Sequence, residues 1–266
     1  MEIERSVDGA FCWAEGGVKD VAGAKAFYSA VLGWAFDDVP LPDGGVYPIA
    51  KVGGRSVGAI FKIDPTMAPA GAPPMPPAWS SYVQVADVEA TSKRVVELGG
   101  TVIVPAMDVM EEGRMLVFAD PTGAVLSAWQ PKRHSGFGRL NEHGAPCWFE
   151  LMTKNLDVAQ SFYERLFGWK KTASMTPGVQ YIEVTPPTGS GPVGGMMQMD
   201  ASFGDMPSCW SPYFTVANIE IAANAVKSNG GTVCVEPKEI PNVGTFAVVQ
   251  DPNGAFFNII QLKPMG

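Results

Sequence analysis

The chain repeats itself. Cys12-Trp13-Ala14-Glu15, Ala26-Phe27-Tyr28 and Leu32-Gly33-Trp34 recur as Cys147-Trp148-Phe149-Glu150, Ser161-Phe162-Tyr163 and Phe167-Gly168-Trp169, at a constant offset of 135 residues. Further on, Trp79-Ser80-Ser81-Tyr82, Gly99-Gly100-Thr101-Val102 and Asp120-Pro121-Thr122-Gly123 recur as Trp210-Ser211-Pro212-Tyr213, Gly230-Gly231-Thr232-Val233 and Asp251-Pro252-Asn253-Gly254. Here the offset is 131. Composition alone does not place Trp, Phe-Tyr, Gly-Gly and Asp-Pro-x-Gly twice in one order, whereas tandem duplication does. The sequence divides into a first module, 1–130, a connecting stretch, 131–145, where the apolar pattern lapses, and a second module, 146–266.

Each copy reads as a strand, a helix and further strands. Val21, Ala24, Phe27, Tyr28, Val31 and Leu32 fall at three- and four-residue steps and stop at Gly33, which predicts a helix with one buried face. Strands are predicted at 46–52 and 56–63. The unit then restarts with a strand at 81–85, a helix running to Leu98, and strands at 101–104, 114–119 and 125–129. The fold class is α+β, with β-α-β-β-β twice per copy. The prolines between Pro65 and Pro77 remove amide donors and fix φ, so that stretch is expected to connect the half-modules. Gly99-Gly100 and Gly230-Gly231 suit left-handed helix caps, and Asp-Pro-x-Gly is a β-turn signal.

Composition narrows the classes of function. A length of 266 residues suits two domains, each able to bury a core. A net charge of −8 without a Lys/Arg cluster excludes nucleic acid as the expected partner. No apolar run is long enough for a membrane span, and the first residues do not resemble a secretory leader, so a cytoplasmic protein is expected. Cys12, Cys147, Cys209 and Cys234 show no C-x-x-C spacing and read as reduced, mostly buried thiols, with Cys12 and Cys147 expected to be inert. A monomer or homodimer is expected.

The ordered pattern is Trp-x-Glu on a strand, then Asp20 or Asn155, then a helix carrying Phe-Tyr and ending in Leu-Gly or Phe-Gly, and finally Asp-Pro-x-Gly before the last strand. It resembles the vicinal-oxygen-chelate superfamily of glyoxalases, bleomycin-resistance proteins and dioxygenases, over nearly the whole chain and twice. Its arrangement is most similar to actinobacterial two-domain glyoxalase-like proteins. The resemblance implies modules whose curved mixed sheet surrounds a cup. Metal-dependent members carry ligands at positions that correspond here to Trp13, Ser80 and Ser127, to Trp148, Ser211 and Asn258, and, more loosely, to Ala59 and Gly195. These residues do not coordinate divalent metals as His and carboxylates do, and His134 and His143 both fall in the connecting stretch. The expectation is therefore cups without a metal or other cofactor.

Strand alternation puts Trp13, Glu15 and Gly17 in the first cup with Ser80, Tyr82, Gln84, Ser127 and Trp129, while Cys12 and Ala14 face the helices. The second cup receives Trp148, Glu150 and Met152 with Ser211, Tyr213, Thr215 and Asn258. A carboxyl group among indole rings loses solvation and gains basicity, so Glu15 and Glu150 are candidate general bases with Tyr82 and Tyr213 as proton donors. In the alternative, each Glu accepts a wall hydrogen bond. Trp13 and Trp148 either stack on a flat ligand or plug the cup. Three functions stay open: a metal-free binder of a small aromatic or polyketide-like molecule, for resistance or metabolite handling; a metal-independent isomerase, cyclase or lyase; and a metal-dependent glyoxalase or dioxygenase.

Overall fold

The computed structural model describes residues 6–42, 44–64, 75–173 and 180–263. Most of the proline-rich connection falls outside them. The first module comprises β1 (Phe11–Val18), α1 (Val21–Leu32), β2 (Ala35–Pro40), β3 (Val46–Val52), β4 (Arg55–Lys62), β5 (Ala78–Gln84), α2 (Val88–Glu97), β6 (Thr101–Val109), β7 (Gly113–Ala119) and β8 (Val125–Pro131). The second comprises β9 (Pro146–Thr153), α3 (Leu156–Phe167), β10 (Lys170–Ala173), β11 (Tyr181–Thr185), β12 (Gly194–Gln198), β13 (Cys209–Thr215), α4 (Ile219–Ser228), β14 (Thr232–Ile240), β15 (Gly244–Gln250) and β16 (Phe256–Leu262).

Each module forms one eight-stranded mixed sheet, in the orders β2-β3-β4-β1-β5-β8-β7-β6 and β10-β11-β12-β9-β13-β16-β15-β14. The two half-units meet where β1 runs antiparallel to β5, each strand flanked by the last strand of its own half-unit in parallel. The β-α-β-β-β pattern required a strand after α1, but β2 could not be located because it is an edge strand with a largely exposed, acidic face, Asp37-Asp38, and shows no apolar alternation.

Local chemistry sets the helix ends. Asp20 accepts a hydrogen bond from the Gly23 amide at the start of α1, and Asn155 does the same for Val158 in α3. Gly33 and Gly168 close those helices at φ 70°, a left-handed conformation that glycine adopts without steric cost. After α2 and α4 only the first glycine of each pair, Gly99 and Gly230, takes a positive φ.

The two modules share one core. Phe11 stacks on Phe149 with ring centroids 4.2 Å apart, and burying one such ring is worth about 1.5–3 kcal/mol. The seam is stitched reciprocally: the Trp34 indole donates to the Gly144 carbonyl and the Trp169 indole to the Gly9 carbonyl, each at 2.6 Å. Helix α1 packs on α4 of the other module, where the Tyr28 hydroxyl donates to Asp251 at 2.9 Å. The other Asp251 oxygen receives the amides of Asn253, Gly254 and Ala255, so the Asp-Pro-x-Gly turn is both a turn and a module contact.

Residues 131–145 are packed against both modules. The Phe137 amide donates to the Cys12 carbonyl and the Gly138 amide to that of Ser56, both at 2.8 Å. The Phe137 and Ala145 side chains are buried. Among the described residues no helix is long and apolar enough to cross a membrane.

Candidate functional site

Strand β1 supplies Trp13 and Glu15 to the first cup, and the antiparallel register sets Trp13 opposite Tyr82 and Glu15 opposite Ser80 on β5. Strand β8 adds Ser127 beside Tyr82. Both oxygens of Glu15 are engaged: Tyr82 donates to Oε1 and Tyr47, from β3, donates to Oε2, each at 2.5 Å. The Trp13 indole donates to the Tyr47 oxygen at 3.0 Å, and Ser127 donates to that of Tyr82. The cluster is thus a chain of side chains from four strands, β1, β3, β5 and β8, centred on one carboxylate.

The second cup repeats this plan more loosely. Tyr213 donates to Glu150 at 2.8 Å, Tyr181 also hydrogen-bonds Glu150, and the Trp148 indole donates to Tyr181 at 2.7 Å. Asn258 donates to the Ser211 hydroxyl at 2.8 Å. Met152 sits opposite Cys209 and Met197 on the flanking strands.

Burial governs the electrostatics. It raises Glu15 above the usual glutamate range despite the opposing hydrogen bonds of Tyr47 and Tyr82, and it raises Glu150 against those of Tyr213 and Tyr181. The phenols of Tyr47, Tyr82, Tyr181 and Tyr213 are pushed up by burial and by the adjacent carboxylate, so they stay protonated and donate.

Several site residues sit differently from their expected places. Cys12 falls in the register shift between Phe11 and Trp13, where an extra residue on β1 interrupts the two-residue alternation. Gln84 donates to Asp8 at 3.0 Å and lines a groove of about 340 Å³ beside α2 and Phe167, away from Glu15's partners. Thr215 is buried beside the Cys147 thiol and is not a partner of Glu150. All four cysteines are free thiols, but only Cys12 is buried; Cys147 and Cys209 are half-buried and Cys234, on the edge strand β14, is exposed, so the expectation of mostly buried thiols does not hold.

Three residues were missed. Tyr47 and Tyr181 carry a signal, since they recur at an offset of 134, between those of the flanking motifs. His134 has no counterpart in the repeat. The connecting stretch folds back so that its imidazole meets the Trp13 ring edge-on, 4.3 Å between centroids, and that of Trp129 at 5.8 Å. Its amide donates to Glu112 and its carbonyl receives the Trp129 indole, both at 3.0 Å.

The side chains fit a divalent metal poorly. Among the described residues no three His, Cys, Asp or Glu side chains converge, and the carboxylate of the first cup already has phenol donors on both oxygens. At Gly195, a position where the family resemblance places a ligand, a methyl group would overlap the Tyr181 hydroxyl; the phenol occupies the space a ligating side chain would need.

Paired β-α-β-β-β units closing a cup, duplicated in one chain, define a tandem vicinal-oxygen-chelate architecture. The family model for the Glyoxalase/Bleomycin resistance protein/Dioxygenase superfamily matches residues 14–127 and again 146–259, and the chain belongs to that superfamily. It is 39% identical over 253 residues to CFP32 of Mycobacterium tuberculosis, a glyoxylase by name, covering 95% of this chain and 94% of the relative. It is 32% identical over 271 residues to the anthracycline biosynthesis protein DnrV of Streptomyces peucetius, covering 98% and 96%. The fold matches the Mn(II)-bound glyoxalase of Novosphingobium aromaticivorans with a TM-score of 0.64 at 16% identity, covering 98% of this chain and 84% of that one. It also matches the 2,3-dioxygenase LapB of Pseudomonas sp. KL28, with a TM-score of 0.62 at 18% identity, covering 96% and 93%.

Proposed function

We propose that the chain binds a small, flat aromatic or polyketide-like molecule in metal-free cups, acting in the cytoplasm as a resistance or metabolite-handling protein. The observation that carries this reading is the donor set of the first cup. One carboxylate is clamped by Tyr47 and Tyr82 and bordered by Trp13, a wall suited to a planar ring with a few polar substituents. The similarity to an anthracycline biosynthesis protein across nearly its whole length supports a polycyclic ligand.

The raised basicity of Glu15 and Glu150 supports a second reading. A desolvated carboxylate beside a protonated phenol can take a proton from a ligand carbon or hydroxyl while the phenol donates to the oxygen that gains charge. That is the equipment of a metal-independent isomerase, cyclase or lyase, with Glu15 and Tyr82 as the working pair in the first cup.

Titrating a series of hydroxyanthraquinones against the wild type and the Glu15→Gln, Glu150→Gln double variant tests both readings. Binding to the wild type without chemical change of any bound compound supports the binder. Turnover abolished in the variant with binding retained supports the enzyme. Failure of every compound to bind removes the aromatic-ligand reading.

A further inference from the structure

The first cup contains a circuit of side chains that the second lacks. Trp13 donates to Tyr47, Tyr47 and Tyr82 grip Glu15, and the Tyr82 ring meets Trp129 edge-on at 6.4 Å. Trp129 and Trp13 are then joined through the His134 ring, which contacts both. In the second cup the position of Trp129 is held by Ile260, and the Tyr213 ring packs instead on Phe246.

His134 closes the circuit without being consumed by it. Its backbone is fixed at both the amide and the carbonyl, and its ring is fixed by two indoles, yet the Nε2 atom is buried and has no hydrogen-bond partner. A polar atom held out of water without a partner is a standing cost to the fold. Such an atom, positioned by surrounding rings, is the arrangement expected of a group kept for a ligand. Burial pushes the imidazole down to about 4, so the ring is neutral near neutral pH and offers one donor and one acceptor rather than a charge.

We infer that His134 is a ligand-contacting, specificity-determining residue of the first cup, presenting Nε2 to a hydroxyl or carbonyl on the edge of a flat aromatic molecule. This deepens the proposed binding function and rests on it. Recognition by a neutral imidazole favours uncharged phenols and quinones over carboxylated rings, which would bring a negative charge to the cup of Glu15. The connecting stretch thereby makes the two cups different receptors built on one plan.

The test uses the full chain and alizarin, a flat dihydroxyanthraquinone, with quenching of tryptophan fluorescence as the readout. His134→Phe keeps an aromatic ring between Trp13 and Trp129 but deletes Nε2, and His134→Gln restores an amide nitrogen near the same place. Loss of about three- to ten-fold in affinity for the Phe variant, the worth of one hydrogen bond, together with near-wild-type affinity for the Gln variant, supports the inference. Equal affinity of wild type and Phe variant overturns it and leaves the proposed function standing. Absence of alizarin binding to the wild type overturns the inference, and the proposed function falls with it only if the whole hydroxyanthraquinone series fails to bind. If the variants do not fold, the imidazole ¹⁵N resonances of the wild type decide: a shift of Nε2 on adding alizarin supports the contact, and an unmoved resonance overturns it.

Discussion

The Tyr28 hydroxyl of the first module donates to the Asp251 carboxylate of the second at 2.9 Å, inside the seam, and receives the Trp79 indole at 3.1 Å. One phenol therefore ties a helix of one module to a turn of the other and to a strand of its own sheet.

Tyr28→Phe strands a buried carboxylate oxygen and an indole N–H. The expected cost is about 1–3 kcal/mol for each group left unpaired, read as a lower midpoint in urea denaturation. Because the core is continuous, both modules are expected to lose stability in a single transition. A variant as stable as wild type, or one that unfolds only its first module, would contradict this seam.

Burial raises the folded pKa values of Glu15 and Glu150 above the ordinary glutamate value of about 4.5. A raised folded value means that the native state holds the proton more tightly than the unfolded chain. Their contribution is fully present below about 4.5 and is lost as pH rises through the folded values. The stability of the wild type relative to the Glu15→Gln, Glu150→Gln double variant should therefore grow as pH falls from neutrality. Denaturation curves across pH 4 to 8 check it, and a constant difference would show that burial does not control these carboxyls.

The missing side chain of Gly195 leaves the space that the Tyr181 hydroxyl fills. Gly195→Ala is expected to push that phenol off Glu150 and break the bond from the Trp148 indole. The change should appear as a red-shifted Trp148 emission with a loss of about 1–3 kcal/mol in stability, the scale of overpacking a filled site. In the first cup the same position is already Ala59, so Ala59→Gly is expected to leave the Glu15 clamp in place.

Protein purified without chelator is expected to contain no stoichiometric zinc, nickel, iron or manganese, and its melting temperature should not change on treatment with EDTA. Elemental analysis alongside thermal unfolding checks this. One equivalent of any of these metals per cup would return the chain to the metal-dependent reading.

The duplication and the Trp-x-Glu core of each cup were readable in the sequence because they depend on order and on strand alternation, while the curved sheets were implied by the family resemblance. Glu15 and Tyr82 meet as alternation requires, since β1 and β5 are regular where they pair. Alternation failed at Cys12, where one extra residue shifts the register, and at Gln84, where the strand passes beyond the cup to reach Asp8. Tyr47 lies two strands from Glu15, and only the sheet order brings it there. His134 was out of reach for a different reason: nothing in its local sequence states that the connection turns back over Trp13, a placement decided by the backbone bonds from Phe137 to Cys12 and from His134 to Glu112.

The reciprocal seam has a consequence for how such a chain can change over generations. Trp34 packs on Phe214 and Trp169 on Phe11 of the opposite module, and α1 on the opposite turn, so the halves are inherited as one unit and must drift together along that surface. The carboxylates of the two cups take no part in those contacts, since Glu15 and Glu150 bond within their own modules. A doubled gene locked at its middle can thus let one receptor keep an old taste while the other acquires a new one.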